Sequence, residues 1–183
     1  MPKHIVLVGL MGSGKSAVAR RLATEGITFL DTDRLVEKTA GSTVREIFSD
    51  RGEETFRAFE EDALRSCLDH DGHAVIAAAG GVVTRDANRK ALNSARGAGD
   101  AWVVWLDTAP DELARRVARG AHRPLLDTDP AGTLVRLAAE RAPLYREVAD
   151  VRVDTTGKSL EEVTAEVLSE YNTRFGRWGA TNG

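Results

Sequence analysis

Residues 8–18 read VGLMGSGKSAV, in which Gly9, Gly14, Lys15 and Ser16 satisfy the pattern GxxxxGKS. The flanks decide what the glycines are for. Residues 4–8, HIVLV, form a short, almost continuous apolar run, as expected of a central parallel strand covered on both faces. Beyond the glycines, Val18, Ala19 and Leu22 recur at helical spacing in KSAVARRLATEG, a helix expected to close at Gly26. Strand, glycine loop and helix in that order bring backbone amides and the positive end of a helix toward phosphate oxygens. Lys15 can reach the β and γ phosphates, and the Ser16 hydroxyl can ligate magnesium. Gly12, Ser13, Gly14, Lys15, Ser16 and Ala17 are therefore expected to hold a nucleotide with β and γ phosphates, accompanied by Mg2+. A glycine turn beside a solvated lysine would require neither flank.

Outward from this loop the alternation repeats. ITFLDTD (residues 27–33) reads as a strand ending in polar residues, followed by helices over 34–40 and 43–50 with a turn at Gly41. Phe56, Phe59, Ala63 and Cys67 recur three or four apart and mark an amphipathic helix over 53–68. AVIAAAGGVV (74–83) is strand then loop, AWVVWLD (101–107) a buried strand, 111–118 a helix, and 120–132 a loop rich in glycine and proline. A helix over 133–149, interrupted near Pro143, leads to a strand at 151–155 and a helix at 160–172. Five strands alternating with helices predict an α/β fold, a parallel five-stranded sheet flanked by helices and joined by right-handed crossovers. Residues 1–172 read as one domain, and 173–183 as a polar, flexible tail. Ligands of such sheets gather at the carboxyl ends of the strands.

Composition excludes several classes. The chain has 183 residues, 42% apolar and 29% charged, and its net charge of −3 gives no reason to expect a nucleic acid or an anionic membrane as partner. Local arginines can still bind a small anion. A single cysteine, Cys67, rules out an intramolecular disulfide and a thiolate cluster, and fits a small buried side chain. No apolar run approaches the roughly 18 residues of a membrane span, and the N-terminus runs straight into a strand, so the cytoplasm is expected; a monomer is the expected state. His4, His70, His73 and His122 lack metal spacing. Trp102 and Trp105, three apart on one strand, face opposite sides and suit packing. Arg115, Arg116 and Arg119 lack the aromatic companions of a nucleic-acid patch.

A nucleotide site does not name the acceptor. DTD places Asp31 and Asp33 at the end of the second predicted strand, where period two aims both carboxylates the same way. One can order magnesium through water and the other receive the acceptor hydroxyl; alternatively Asp33 only caps the following helix. Arg57, with Glu60 and Glu61 three and four residues on, reads by itself as part of a surface ion pair.

The ordered set GLMGSGKS, DTD, FRAFEED, AGGVVT, HRPLL and RAPLYREVAD resembles the shikimate kinases from about residue 4 to about residue 170. That resemblance implies a P-loop fold like that of nucleoside monophosphate kinases, with a mobile lid over about 117–132. It implies transfer of the ATP γ-phosphoryl group to the 3-hydroxyl of shikimate, in aromatic amino acid and chorismate biosynthesis. Asp33 would hold the reacting hydroxyl, and Ser16 and Asp31 would attend the magnesium. Arg57 and Arg141 would clamp the substrate carboxylate, a task that suits planar guanidinium groups donating paired hydrogen bonds. Gly80 and Gly81 would offer backbone amides, Val44, Phe48 and Phe56 would wall the pocket, and Glu60 would orient Arg57. Arg123 would swing from the lid onto the phosphates, and Arg116, Thr156 and Lys158 would flank the adenine. Three features depart from the family pattern. Ala79 stands where a third glycine is usual, a change that costs little at negative φ; an apolar residue precedes those glycines; and the connection to DTD is about one residue short, which should alter a helix end. A gluconate-type kinase and a nucleotide-binding regulatory protein without transfer activity are the alternatives. Arg57 and Arg141 with DTD favour shikimate, and intact Lys15, Ser16, Asp31, Asp33 and Arg123 favour transfer.

Overall fold

Five strands, β1 (His4–Val8), β2 (Thr28–Asp31), β3 (Ala74–Ala77), β4 (Ala101–Asp107) and β5 (Val151–Asp154), pair in parallel in the order β2-β3-β1-β4-β5. The computed structural model describes residues 1–118 and 129–179 of the chain. β1 lies at the centre, hydrogen-bonded on both sides and buried at every position, which is why its sequence carries no polar alternation. His4 is tolerated there because its Nε2 donates to the Leu68 carbonyl at 3.1 Å. Burial holds its imidazole below the usual pKa, so the buried ring stays neutral.

The helices are α1 (Lys15–Leu22), α2 (Thr32–Ala40), α3 (Val44–Leu68), α4 (Asp86–Ala98), α5 (Pro110–Ala118), α6 (Pro130–Val148) and α7 (Leu160–Phe175). α1 and α7 cover one face, packing Val18, Leu22, Val163 and Val167 on Ile5, Leu7 and Val104. α3, α4 and α6 cover the other, packing Leu64, Leu92 and Leu137 on Val6, Val8 and Val103. Each such aliphatic side chain contributes about 1.5–3 kcal/mol when fully buried, so the two layers dominate the sheet's stability. Trp102 packs edge-on against Tyr171 of α7 and Trp105 lies flat against Tyr145 of α6, on opposite faces as the strand period requires. α2 packs instead on α3, through Val36, Ile47, Phe56 and Ala63. This smaller layer overhangs the carboxyl edge of β2 and β3.

Several elements differ from expectation. α1 stops at Leu22, not Gly26, and a turn from Thr24 to Ile27 completes the compact connection. The helices expected over 43–50 and 53–68 meet end to end at Gly52, whose φ of 80° breaks the helical run as glycine readily permits. α4 had no counterpart in the expected elements. Only Asn88 and Leu92 of it are buried, so its apolar stripe is thin; its cues are Asp86 in the first turn, Arg96 in the last and Gly99 beyond. α6 begins earlier, capped by Asp129, and runs through Pro143 without interruption. The buried Leu137, Arg141, Tyr145 and Val148 hold it against the loss of one backbone hydrogen bond. The tail expected to be flexible from residue 173 is packed as far as Trp178: α7 reaches Phe175, and Trp178 Nε1 donates to the Leu22 carbonyl at 3.0 Å while its ring meets Tyr171. Aromatic burial against the end of α1 outweighs the polar composition there. No helix among the described residues is long and apolar enough to cross a membrane.

Candidate active site

The loop of residues 9–14 leaves β1 and enters α1, and its glycines serve two different needs. A Cβ on Gly9 would lie 2.3 Å from the Leu106 carbonyl oxygen, so no side chain fits there. Gly14 has open space around it but a φ of 91°, a left-handed backbone at the helix N-cap. α1 has no side-chain cap and no acid in its first turn, which leaves its positive end turned to the loop. Lys15 folds back over this loop, donating to the carbonyls of Gly9 and Leu10, each at 2.8 Å. The Ser13 hydroxyl is buried within it without a hydrogen-bond partner among the described residues.

Ser16 Oγ donates to Asp31 Oδ2 at 2.8 Å. Asp31 ends β2 and caps α2, accepting from the Arg34 amide, and Asp33 stands in the first turn of that helix. The expectation that both carboxylates share one strand face is therefore corrected, and the capping residue is Asp31 rather than Asp33. The chain turns into a helix at Thr32 because its buried hydroxyl accepts from the Ala79 amide at 2.8 Å, tying the turn to the end of β3. The two carboxylates are thereby sent to different places, Asp31 to Ser16 and Asp33 to a neighbouring cleft. Ser16 and Asp31 fit a magnesium ion: both are hard oxygen donors, and magnesium is commonly held by one or two protein oxygens completed by phosphates and water. Among the described residues no group of three His, Cys, Asp or Glu forms an all-protein cage.

The cleft is lined by Met11, Asp33, Val44, Phe48, Phe56, Arg57, Glu60, Ala79, Gly80, Gly81 and Arg141, and spans about 440 Å³ including its open mouth. Arg57 lies beneath it. Its Nη1 donates to Glu60 at 2.5 Å, its Nη2 to Glu53 at 3.0 Å, and its guanidinium stands 5.4 Å from the Phe56 ring centre. Burial works against the charge of Arg57, but Glu60 and then Glu53 outweigh it and the guanidinium is held charged. Burial also pushes the Glu60 carboxyl above the usual carboxylate range, only partly offset by Arg57, while Asp33 pushes further upward and Arg141 opposes it. A surface ion pair is thus replaced by a buried one, and Glu61 is engaged elsewhere, with Arg65 and Arg85.

Gly80 and Gly81 are confined by space rather than by an unusual φ, and a side chain at 81 would push the Arg57 guanidinium aside. A Cβ on Gly80 would lie 3.2 Å from the Met11 amide, and one on Gly81 only 2.0 Å from Arg57 Nη1. Ala79 is outside the left-handed region, since no residue other than glycine has positive φ among the described residues, and its methyl is accommodated without backbone strain. The Gly80 carbonyl accepts from Arg141 Nη1 at 2.9 Å and from the Tyr145 hydroxyl at 2.6 Å.

Arg116 of α5 and Thr156 both contact the segments that follow β4 and β5. Arg116 donates to Glu112 and to the Thr155 carbonyl, and Thr156 Oγ1 accepts from the Ala109 amide. Lys158 engages Glu166 of α7, and none of the three lines the acceptor cleft. Arg123, and most of the expected lid, lie outside the described residues. Sequence reasoning passed over Glu53, Thr32, Met11 and Tyr145. Glu53 is four residues before Arg57 and Tyr145 four after Arg141, spacings that put each pair on one helix face. Nothing local distinguishes Thr32 or Met11.

The family model described as Shikimate kinase matches residues 11–172. The shikimate kinase of Symbiobacterium thermophilum is 47% identical over 175 residues, covering 93% of this chain and 97% of its own length. That of Mycobacterium tuberculosis is 44% identical over 172 residues, covering 92% and 93%. A solved structure of shikimate kinase from Acinetobacter baumannii in complex with shikimate superposes with a TM-score of 0.87 at 33% identity, covering 96% of each chain.

Proposed function

The chain belongs to the shikimate kinase family, and from that premise we propose how its residues divide the work. The reaction transfers the γ-phosphoryl group of ATP to the 3-hydroxyl of shikimate, giving shikimate 3-phosphate and ADP in aromatic amino acid biosynthesis. The observation that carries the assignment of residues is convergence. Asp33, Arg57, Gly81 and Arg141 come from four separate parts of the chain, yet they line one cleft whose inner wall, Met11, belongs to the phosphate loop.

Arg57 and Arg141 grip the shikimate carboxylate, and the amides of Gly80 and Gly81 complete its seat. Val44, Phe48 and Phe56 enclose the ring. Glu60 fixes the rotamer of Arg57, which spares part of the entropy that a free arginine would lose on binding. Asp33, at the open side, accepts the hydrogen bond of the reacting hydroxyl and takes its proton as the bond to phosphorus forms. Lys15 exchanges the Gly9 and Leu10 carbonyls for β and γ phosphate oxygens, with Gly12, Ser13, Gly14, Ser16 and Ala17 supplying backbone and hydroxyl donors. Ser16 and Asp31 would hold the magnesium that accompanies ATP, and the ion would supply charge neutralisation at the phosphates. Arg116, Thr156 and Lys158 are assigned to the adenine side. Arg123 is assigned to the phosphates on its sequence position. We assign the protein as a monomer of the cytoplasm; light scattering on the purified protein tests the monomer.

A coupled ADP-release assay with magnesium and ATP, comparing shikimate, gluconate, quinate and no acceptor, tests the reading. Stimulation by shikimate alone is expected. ADP release indifferent to the acceptor would leave the phosphate loop in place and remove the cleft assignments.

A further inference from the structure

Tyr145 does not line the cleft, yet its hydroxyl reaches the backbone that does. It is 1% exposed and donates to the Gly80 carbonyl at 2.6 Å, and Arg141, one helical turn earlier on α6, donates to the same oxygen at 2.9 Å. Both lone pairs of that carbonyl are thereby used. The Tyr145 ring is held in turn by the sheet: it stacks on Trp105 of β4 with centroids 5.7 Å apart and planes 25° apart. Arg146 and Arg152 stand 5.9 and 5.6 Å from the Trp105 ring centre. On its other side the loop is wedged, Gly80 against Met11 and Gly81 against Arg57.

We propose that Tyr145 is a positioning residue for the acceptor, which through the Gly80 carbonyl sets the Gly80–Gly81 backbone and the Arg141 guanidinium in register for the substrate carboxylate. The inference rests on the assignment of Arg141 and the two glycines made above. Its physical content is a division of donors. With Tyr145 in place, Arg141 supplies one N–H to Gly80, leans on the Tyr145 hydroxyl, and has donors left for the ligand. Without the hydroxyl, Arg141 becomes the sole side-chain donor, among the described residues, to a half-buried carbonyl and is drawn toward the loop, away from the substrate. Burial raises the phenol's pKa, so the hydroxyl remains a donor throughout the neutral range.

Tyr145→Phe removes the hydroxyl and keeps the stacked ring. The expected result is a shikimate KM raised about fivefold, the factor for one net hydrogen bond, with the KM for ATP within about twofold of the parent. A purely structural part for Tyr145 predicts otherwise: a lowered melting temperature with both KM values unmoved, or both raised together, overturns the proposal. Arg141→Ala measured alongside separates the two levels. If it raises the shikimate KM and Tyr145→Phe does not, the inference about Tyr145 fails alone; if Arg141→Ala spares that KM, the carboxylate clamp fails with it.

Discussion

In the phosphate loop the side chain that matters most is held by its near neighbours: Lys15 bonds carbonyls six and five residues back, on a backbone shaped by Gly9 and Gly14. In the acceptor cleft Arg57, Arg141 and Asp33 stand on three different helices, Arg57 aimed by the buried Glu60 and by Glu53 and Arg141 by the loop after β3, sixty-one residues away in sequence. A site made of one contiguous loop has few independent parts, so single changes there should act on the whole reaction. A site made of separately supported side chains should fail by degrees, and toward one substrate only.

The largest effect is expected at the loop. Lys15→Ala should lower kcat by about 10²–10³-fold, as for loss of one preorganised charge on a transition state, with circular dichroism unchanged. Retained turnover would break the comparison at its strong end. Next comes Arg141→Ala, which should raise the shikimate KM about 10- to 100-fold, from the loss of hydrogen bonds between charged groups, and leave the KM for ATP nearly unmoved. Equal changes in the two would mean that cleft and loop are one unit.

A smaller effect follows from Glu60. Its burial lifts the carboxyl, so the folded protein holds that proton more tightly than the unfolded chain does. The stability it contributes is full below the unfolded value of about 4.3, and is lost as pH rises through the lifted one. Shikimate affinity should move the opposite way, because the ionised carboxylate is the form that pairs with Arg57. Subtracting the behaviour of Glu60→Gln from that of the parent should therefore show melting temperature and shikimate KM both falling with rising pH across this interval. A shikimate KM that rises with pH there, or a flat difference, would remove the pair from the cleft's design. The smallest effect sharpens the boundary between the two regions. Ala79→Gly should destabilise the fold by about 0.4–1 kcal/mol through the unfolded chain and leave both KM values unchanged, since the residue 79 amide still bonds Thr32. A gain in kcat would show that the methyl group narrows the site.

Legibility divides along the same line. The strand, glycine loop and helix around Lys15 were readable because each step is local: an apolar run, a glycine pattern and a 3.6-residue period. Val44, Phe48, Phe56, Arg57, Glu60, Gly80, Gly81 and Arg141 were reached only through an ordered set of motifs, and these eight do share a cleft with Asp33. DTD was misread as strand because period two was extended through Thr32, whose tertiary bond to the Ala79 amide starts the helix. The tail was misread because its composition is polar, while the packing of Phe175 and Trp178 outweighs the average.

By itself, then, the sequence determined the class of fold, the place of the phosphate loop and the inventory of groups for acceptor chemistry, since backbone conformation, periodicity and charge at helix ends are properties of neighbouring residues. Only the tertiary structure decided which of those groups are buried and what aims them. Thr32 meets Ala79 across 47 residues, and Arg141 and Tyr145 meet Gly80 across 61 and 65. Contacts at such separations exist only once the sheet and its two helical layers have packed, so no local pattern encodes the partner of a hydrogen bond that the whole fold must bring together.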